Sequence, residues 1–421
     1  MGTRVYAPLT LLGRFRPGDG SPAMFMHYCY SREVWRTRGI RVGLDMMAAL
    51  LVWPLSTLGA MGWFTWRNGT AIKQRMGKGP ISQLYEQLSL ALTHSITPRE
   101  YYVFELHDDD KRRQAGQYLQ RRELKDAVYP ILKTNRAGAP LSPLTDKVAF
   151  AARCQEHHIP AVPVVMALEH DIVTYCSDHE RTLPKIDLFI KPNHGRGGRG
   201  AERWDYQQSG SYKGTAGQRL TAAELLHHLK TLPFTEGCLI QPRVINHPLI
   251  ADLSNGALAT VRIMTCRNEQ GGFEVTHAVL RMARGGNTVV DNFHAGGIAA
   301  KVDLHSGMLG PATDLGVHAA IGWCERHPDT GARIRGRILP LWPQVLEVVQ
   351  RAHAAFSDRV VVGWDVALTL DGPQLIEGNG SPDLDIIQRT HGEPVGNARL
   401  GQLLAFHLAQ VLHVCQGGEV R

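Results

Sequence analysis

The chain of 421 residues carries 46 lysines and arginines against 39 acids, a formal net charge of +7, with 43% apolar and 20% charged side chains. That composition excludes a disordered or fibrous chain and allows two or three lobes, at a prior of about 150 residues each. No basic stripe interleaved with aromatics suggests nucleic acid, and seven cysteines without a C-x-x-C pair point to a reducing compartment, not to a disulfide frame or structural zinc.

From Met46 to Trp66 no side chain is charged, a run long enough to cross a hydrocarbon core of about 30 Å. Pro54 interrupts it, and basic residues flank both ends: Arg36, Arg38 and Arg41 before, Arg67, Lys73 and Arg75 after. Balanced charge gives no orientation. The proline splits the run into two short helices, with Trp53, Trp63 and Trp66 at headgroup depth, so the segment is expected to lie in a membrane interface with both ends cytosolic. The alternative is a buried hairpin of two helices.

Further along, Thr145 is expected to cap a helix running to His157 and stopped at Ile159-Pro160. Lys147 falls in its first turn, where it opposes the helix dipole and would be relieved by a phosphate. Ile186 to Lys191 reads as an apolar strand ending in a lysine, followed by a loop containing Gly195, Gly197, Gly198 and Gly200. Glycines let backbone amides approach phosphate, and the lysine supplies charge. The G-x-G-x-x-G match is not a dinucleotide turn, because Ala201 to Tyr206 reads as another strand instead of a helix. Thr221 and Glu224 form a capping box for a helix through Leu229. Leu239 to Val244 is a strand in which Pro242 lacks a backbone donor, and His247 lies just beyond it. Arg262 lies on an apolar strand at 257–266, where a lone guanidinium is costly, so a phosphate contact is favoured over a core ion pair. Arg281, on the strand at 273–283, can face the same cleft. Asn292 and His294 sit in a glycine-rich loop as substrate contacts or turn formers, before a strand at 296–303 and a helix at 343–356.

The final hairpin, Val361 to Asn379, carries Asp365 on one strand and Glu377 and Asn379 on one side of the other. A three-residue loop at Asp371-Gly372-Pro373 would set Asp365 on their face, and a two-residue loop would turn it away. Oxygen-only ligands suit Mg²⁺ shared with phosphate. An ordinary acidic surface hairpin is the alternative.

Taken together, a helix-opening Lys147, Lys191 before a glycine loop, a strand at Leu239 to Val244, Arg262, and the set Asp365, Glu377 and Asn379 resemble the ATP-grasp superfamily in kind and order. The stretches Gln241 to Thr265, Asp291 to Gly297 and Glu377-Gly378-Asn379 with Gln388 resemble its sugar-transfer-associated branch, related to alpha-L-glutamate ligases. The resemblance covers roughly residues 100 to 410. It implies an α/β (α+β) ATP-grasp fold in which two lobes hold a nucleotide between them. Residues 1–98 would form a membrane-proximal helical segment, 99–185 a preceding region bearing Lys147, 186–240 the small nucleotide-binding lobe and 241–415 the metal-bearing lobe.

The resemblance also implies ATP and two Mg²⁺ ions. Lys147 and Lys191 would hold phosphates under a lid of Gly195, Gly197, Gly198 and Gly200. Gln241, Arg243 and Val244 would meet the base, and His247, after that hinge, would reach the ribose. Arg262 and Arg281 would face the transferring phosphoryl group, and Asp365, Glu377 and Asn379 the metal. Gln241 replaces a glutamate common in such hinges, which leaves guanine open. The implied reaction joins a carboxylate to an amine through an acyl phosphate, in cell-surface glycan assembly at the cytoplasmic membrane face. A kinase acting on a sugar hydroxyl and a non-catalytic nucleotide-binding adaptor are the alternatives.

Overall fold

The computed structural model describes residues 6–11, 20–134, 142–169, 172–178, 182–193, 200–232, 237–286, 293–318 and 322–417. Fourteen strands in this set form two sheets, each of seven antiparallel strands. The first contains β1 (Met166–Glu169), β2 (Ile172–Cys176), β3 (Leu188–Pro192), β4 (Glu202–Tyr206), β5 (Ser211–Gly214), β6 (Arg219–Thr221) and β7 (Cys238–Pro242), in the order β2-β1-β7-β3-β4-β5-β6. The second contains β8 (Thr260–Arg267), β9 (Phe273–Met282), β10 (Ile298–Val302), β11 (Leu309–Thr313), β12 (Trp323–Cys324), β13 (Val361–Thr369) and β14 (Gly372–Asn379), in the order β12-β11-β10-β9-β8-β13-β14.

The small sheet is covered by the Ala222–Thr231 helix, whose Leu225 and Leu229 meet Leu188, Ile190, Trp204 and Ile240 in one core. The expected capping box is present: the Thr221 hydroxyl accepts from the Glu224 amide, and the Glu224 carboxylate accepts from the Thr221 amide. The large sheet is covered on both faces, which is why all nine residues of β13 are buried. Val261, Ile263, Trp364, Val366 and Leu375 face the Trp342–Ala355 helix. Alternate residues Met264, Cys266 and Val361 point the other way, into a core shared with the C-terminal Arg399–Gly417 helix and the N-terminal helices. Removing one of these large core side chains costs about 3 to 5 kcal/mol.

The N-terminal helices are therefore part of the fold's main core. Met26, Val34, Val42 and Ala49 share a cluster with Leu400, Leu404 and Val279. The uncharged run divides between helices Val42–Leu51 and Trp53–Met76, with the break at Val52 and Pro54 in the first turn of the second helix. The axis bends there by 45°, and among the described residues no single helix is long and apolar enough to cross a membrane. The alternative of a buried hairpin is not what forms: Leu44, Met47, Leu51, Leu55, Leu58 and Trp66 are 53% to 75% exposed, whereas Thr57, Met61, Thr65 and Asn68 turn inward.

Two local expectations are corrected. Asp146 is the cap of the Lys147–Glu156 helix, its carboxylate accepting from the amides of Val148 and Ala149, while Thr145 closes the preceding turn. The last hairpin has a two-residue turn, Leu370-Asp371, yet Asp365 still joins Glu377. Pairing runs from Thr369 with Gly372 to Val366 with Leu375, and then a β-bulge skips Ile376 so that Asp365 opposes Glu377. Had Ile376 paired regularly instead, Glu377 would oppose Trp364 and, with Asn379, follow Leu375 onto the opposite, apolar face.

Candidate active site

Register across the large sheet sets three side chains in a row. Glu377 on β14 opposes Asp365 on β13, and Asp365 opposes Arg262 on β8. Directly opposed residues share a face about 5 Å apart, so the row reads acid, acid, base. Arg281 on β9 opposes Thr260 and reaches in diagonally. Asp365 accepts from Arg262 through both oxygens, with Nη2 at 3.0 Å from Oδ2, and from Arg281 Nη2 at 2.9 Å. Asn379 Nδ2 donates to Glu377 Oε1 at 3.2 Å. Gly363 makes room for this cluster: a Cβ there would lie 2.8 Å from Pro382 and 3.3 Å from Arg262 Cδ.

Burial would push the Asp365 carboxyl up, but Arg262 and Arg281 outweigh it and hold it down to about 2. The expectation for Arg262 is a phosphate in preference to an ion pair; here it and Arg281 both pair with Asp365.

The facing wall comes from the other sheet and its neighbouring helix. Lys191, near the end of β3, is 9% exposed, and burial pulls its amine down to about 8 although Glu377 opposes the shift. Lys147 is also pulled down by burial and supported by Glu377 and Asp146. Its Nζ donates to the carbonyls of Pro192 and Asn193, which ties the helix to the strand leading into the glycine loop. Of that loop, Gly200 lies in a turn at φ +74°, and Gly195, Gly197 and Gly198 lie outside the described residues, as does Asn292.

The hinge residues are more committed than the sequence suggested. Gln241 donates its side-chain amide to the carbonyl of Val162 at 2.9 Å. The Arg243 amide donates to the Asp187 carbonyl, and its guanidinium pairs with Asp187 and Asp205. Pro242 and Val244 are both partly buried, Pro242 at the end of β7 and Val244 just past it. His247 caps the turn that follows it, Nδ1 accepting from the Leu249 amide at 3.2 Å.

Sequence reading missed two aspartates, Asp383 and the Asp385 partner of His294. Asp383 adds negative potential at Arg262 and is paired with Arg121 and Lys125. His294 Nε2 lies 3.0 Å from Asp385 Oδ2, a buried carboxylate at the start of the Asp385–His391 helix. The only sequence signal for either was a pair of aspartates shortly after Asn379.

Two lysines on one wall and two carboxylates with an amide on the other form an oxygen-donor and cation set suited to a metal-bound polyphosphate. Among the described residues there is no group of three His, Cys, Asp or Glu side chains able to hold a metal, so phosphate oxygens would have to complete the shell of a hard cation here. Such a cleft between two antiparallel sheets defines an ATP-grasp protein. The sugar-transfer-associated ATP-grasp family matches residues 129–400, and the chain belongs to that family.

Comparison with curated proteins gives no match. Solved structures similar to this chain include an L-amino acid ligase from Bacillus licheniformis, with 11% identity over 72% of this chain and 59% of that one, TM-score 0.39. D-alanine–D-alanine ligase from Bacillus anthracis, complexed with ATP, shows 11% identity over 65% and 68%, TM-score 0.38. An ADP complex of N5-carboxyaminoimidazole ribonucleotide synthetase shows 10% identity over 58% and 46%, TM-score 0.34. The chain thus spans about half to two thirds of the length of these proteins.

Proposed function

We propose that the protein is an ATP-dependent carboxylate–amine ligase. The observation that carries this is the Glu377, Asp365, Arg262 row facing Lys191 and Lys147 across one cleft. In this reading a substrate carboxylate attacks the γ-phosphorus of ATP, the β,γ-bridging oxygen leaves with ADP, and an amine then displaces phosphate from the acyl phosphate to give an amide. Lys147 and Lys191 hold the polyphosphate, with residues 186–240 as the covering lobe. Arg262 and Arg281 stand where charge builds on the transferring group. Glu377, Asn379 and Asp365 would hold Mg²⁺, which supplies charge neutralisation at the β- and γ-oxygens. A carboxylate is already an anion at neutral pH and needs no base to attack.

The decisive experiment is ADP release with pooled carboxylates in the presence of hydroxylamine. Formation of an acyl hydroxamate supports the ligase. Turnover on a sugar alcohol, with no hydroxamate from any carboxylate, replaces it by a kinase. One observation favours that second reading: His294, oriented by Asp385, is a base able to deprotonate a hydroxyl.

Residues 1–98 would place the enzyme at the inner face of the cytoplasmic membrane, where glycan acceptors are assembled. Support comes from the exposed apolar residues Leu55, Leu58 and Trp66 on one helix and Ile81 and Tyr85, at 83% and 74% exposure, on the next, with exposed Arg41 and Arg67 nearby in sequence. Exposed apolar side chains flanked by cations suit an anionic bilayer surface.

A further inference from the structure

An amine reaches the proposed ligation as an ammonium ion at neutral pH, and its nitrogen has no lone pair to attack with until a proton is removed. The carboxylates of the site are committed elsewhere: Asp365 accepts from Arg262 and Arg281, and Glu377 is assigned to the metal in the same reading. A further group is needed, and His294 with Asp385 is placed to be it.

The register of the large sheet locates the pair. His294 lies in the Phe293–Ala295 turn that leads into β10, where Ala299 opposes Arg281. Arg281 in turn opposes Thr260, which shares a face of β8 with Arg262. Phe293, Leu384 and Ile386 flank the pair and join the core cluster of Val279, the residue opposite Arg262 on β9. Asp385 stands two residues past Asp383, whose negative potential reaches Arg262. The pair therefore ties the chain that leaves Asn379 to the chain that enters the strand beside Arg281.

The carboxylate is buried and the imidazole is open: the side chains are 6% and 33% exposed. Burial would raise the Asp385 carboxyl, but hydrogen bonds from His294 and from the Ile386 amide hold it below its ordinary value. Asp385 is thus ionised at neutral pH and can only accept. In the neutral ring Nε2 carries the proton and donates to Oδ2 at 3.0 Å, which makes Nδ1 the basic nitrogen and fixes its direction. A buried carboxylate behind an accessible imidazole orients a base and steadies the imidazolium that it becomes.

We propose that His294, oriented by Asp385, is the general base that deprotonates the acceptor amine, an inference that rests on the ligase reading. Nδ1 takes one proton from the ammonium, and the freed lone pair forms the C–N bond. The bond from the acyl carbon to the phosphate oxygen breaks, and phosphate leaves with that electron pair and a second proton from the nitrogen.

The test compares two small nucleophiles on the full chain with ATP and the pooled carboxylates: hydroxylamine, uncharged at neutral pH, and ammonium, which has to lose a proton first. Mass spectrometry reads hydroxamate and primary amide, and the parent protein is expected to form both. His294→Gln is expected to lower the rate of amide formation relative to hydroxamate formation by about 100-fold or more, and Asp385→Asn to lower the same ratio. A merely structural role would depress both products together. A parental ratio in either folded variant, or hydroxamate without primary amide from the parent, would overturn the base and leave the ligase standing. No hydroxamate from the parent would overturn the ligase reading and the base with it.

Discussion

On the small-lobe wall a buried Lys191 lies near a partly buried Lys147, and the carboxylate both of them feel is Glu377, across the cleft. On the large-lobe wall Asp365 meets two guanidinium groups of its own sheet. One wall is a pair of partly starved cations, and the other is nearly self-neutral. The difference favours the small-lobe wall as the half that would recognise phosphate in the proposed ligase: a buried lysine whose charge is under-compensated gains most from an arriving anion, whereas the arginines already have a partner and would gain only as charge moves during transfer.

Breaking the large-lobe wall should have the largest effect. Asp365→Ala is expected to abolish turnover and also to destabilise the fold by about 3 to 5 kcal/mol, because it strands Arg262 at 9% exposure. Calorimetric unfolding alongside ADP release checks both. Glu377→Gln sharpens the contrast: Glu377 is only partly buried, so activity should fall about 100-fold or more with the unfolding midpoint almost unmoved. An Asp365→Ala protein of normal stability would show that the arginines do not depend on it.

Lys191→Met should weaken ATP binding by about 1 to 3 kcal/mol, measured by titration calorimetry, without loss of stability. The pH dependence follows from the direction of its shift. With a value near 8 when folded, against 10.5 for the free side chain, Lys191 binds fewer protons in the folded than in the unfolded chain between those limits. Its penalty on folding is therefore fully present below about pH 8 and is relieved as pH rises towards 10.5. A rise in stability over that window that persists in Lys191→Met belongs to another group. Nucleotide affinity should fall over the same window.

The smallest effect is expected at the N-terminal face. Trp63→Ser with Trp66→Ser should change stability by less than about 0.5 kcal/mol per site, since both rings are more than half exposed, while reducing recovery with anionic vesicles. Equal sedimentation of variant and parent would remove the membrane from the reading. Truncation near residue 95 is a poor substitute, because Met26, Val42 and Ala49 belong to the core.

Much of this architecture was legible because local chemistry carried it. The capping box at Thr221, the lysine at the helix start and the strands that carry Arg262 and Asp365 follow from spacing and alternation within short windows. The bulge at Ile376 left no such mark, since it is a backbone choice with no glycine or proline to announce it. Arg262 and Asp365 are 103 positions apart, and their pairing depends on which strands become neighbours. Likewise, nothing local distinguishes the Val42–Leu51 helix as core on one face and solvent on the other until the Arg399–Gly417 helix packs against the same core.

The hairpin also behaves as a parity device. With a two-residue turn, regular pairing would set Ile376 against Asp365 and Glu377 against Trp364; the bulge absorbs Ile376 and brings Glu377 to the side of Asp365. Drawing Ile376 into regular pairing would send the motif Glu377-Gly378-Asn379 to the wrong face without touching any of its atoms. Deleting Ile376 should instead remove the bulge and leave Glu377 opposite Asp365. The bulged residue is therefore expected to be dispensable for the facing of the site, so long as it is either absorbed or absent.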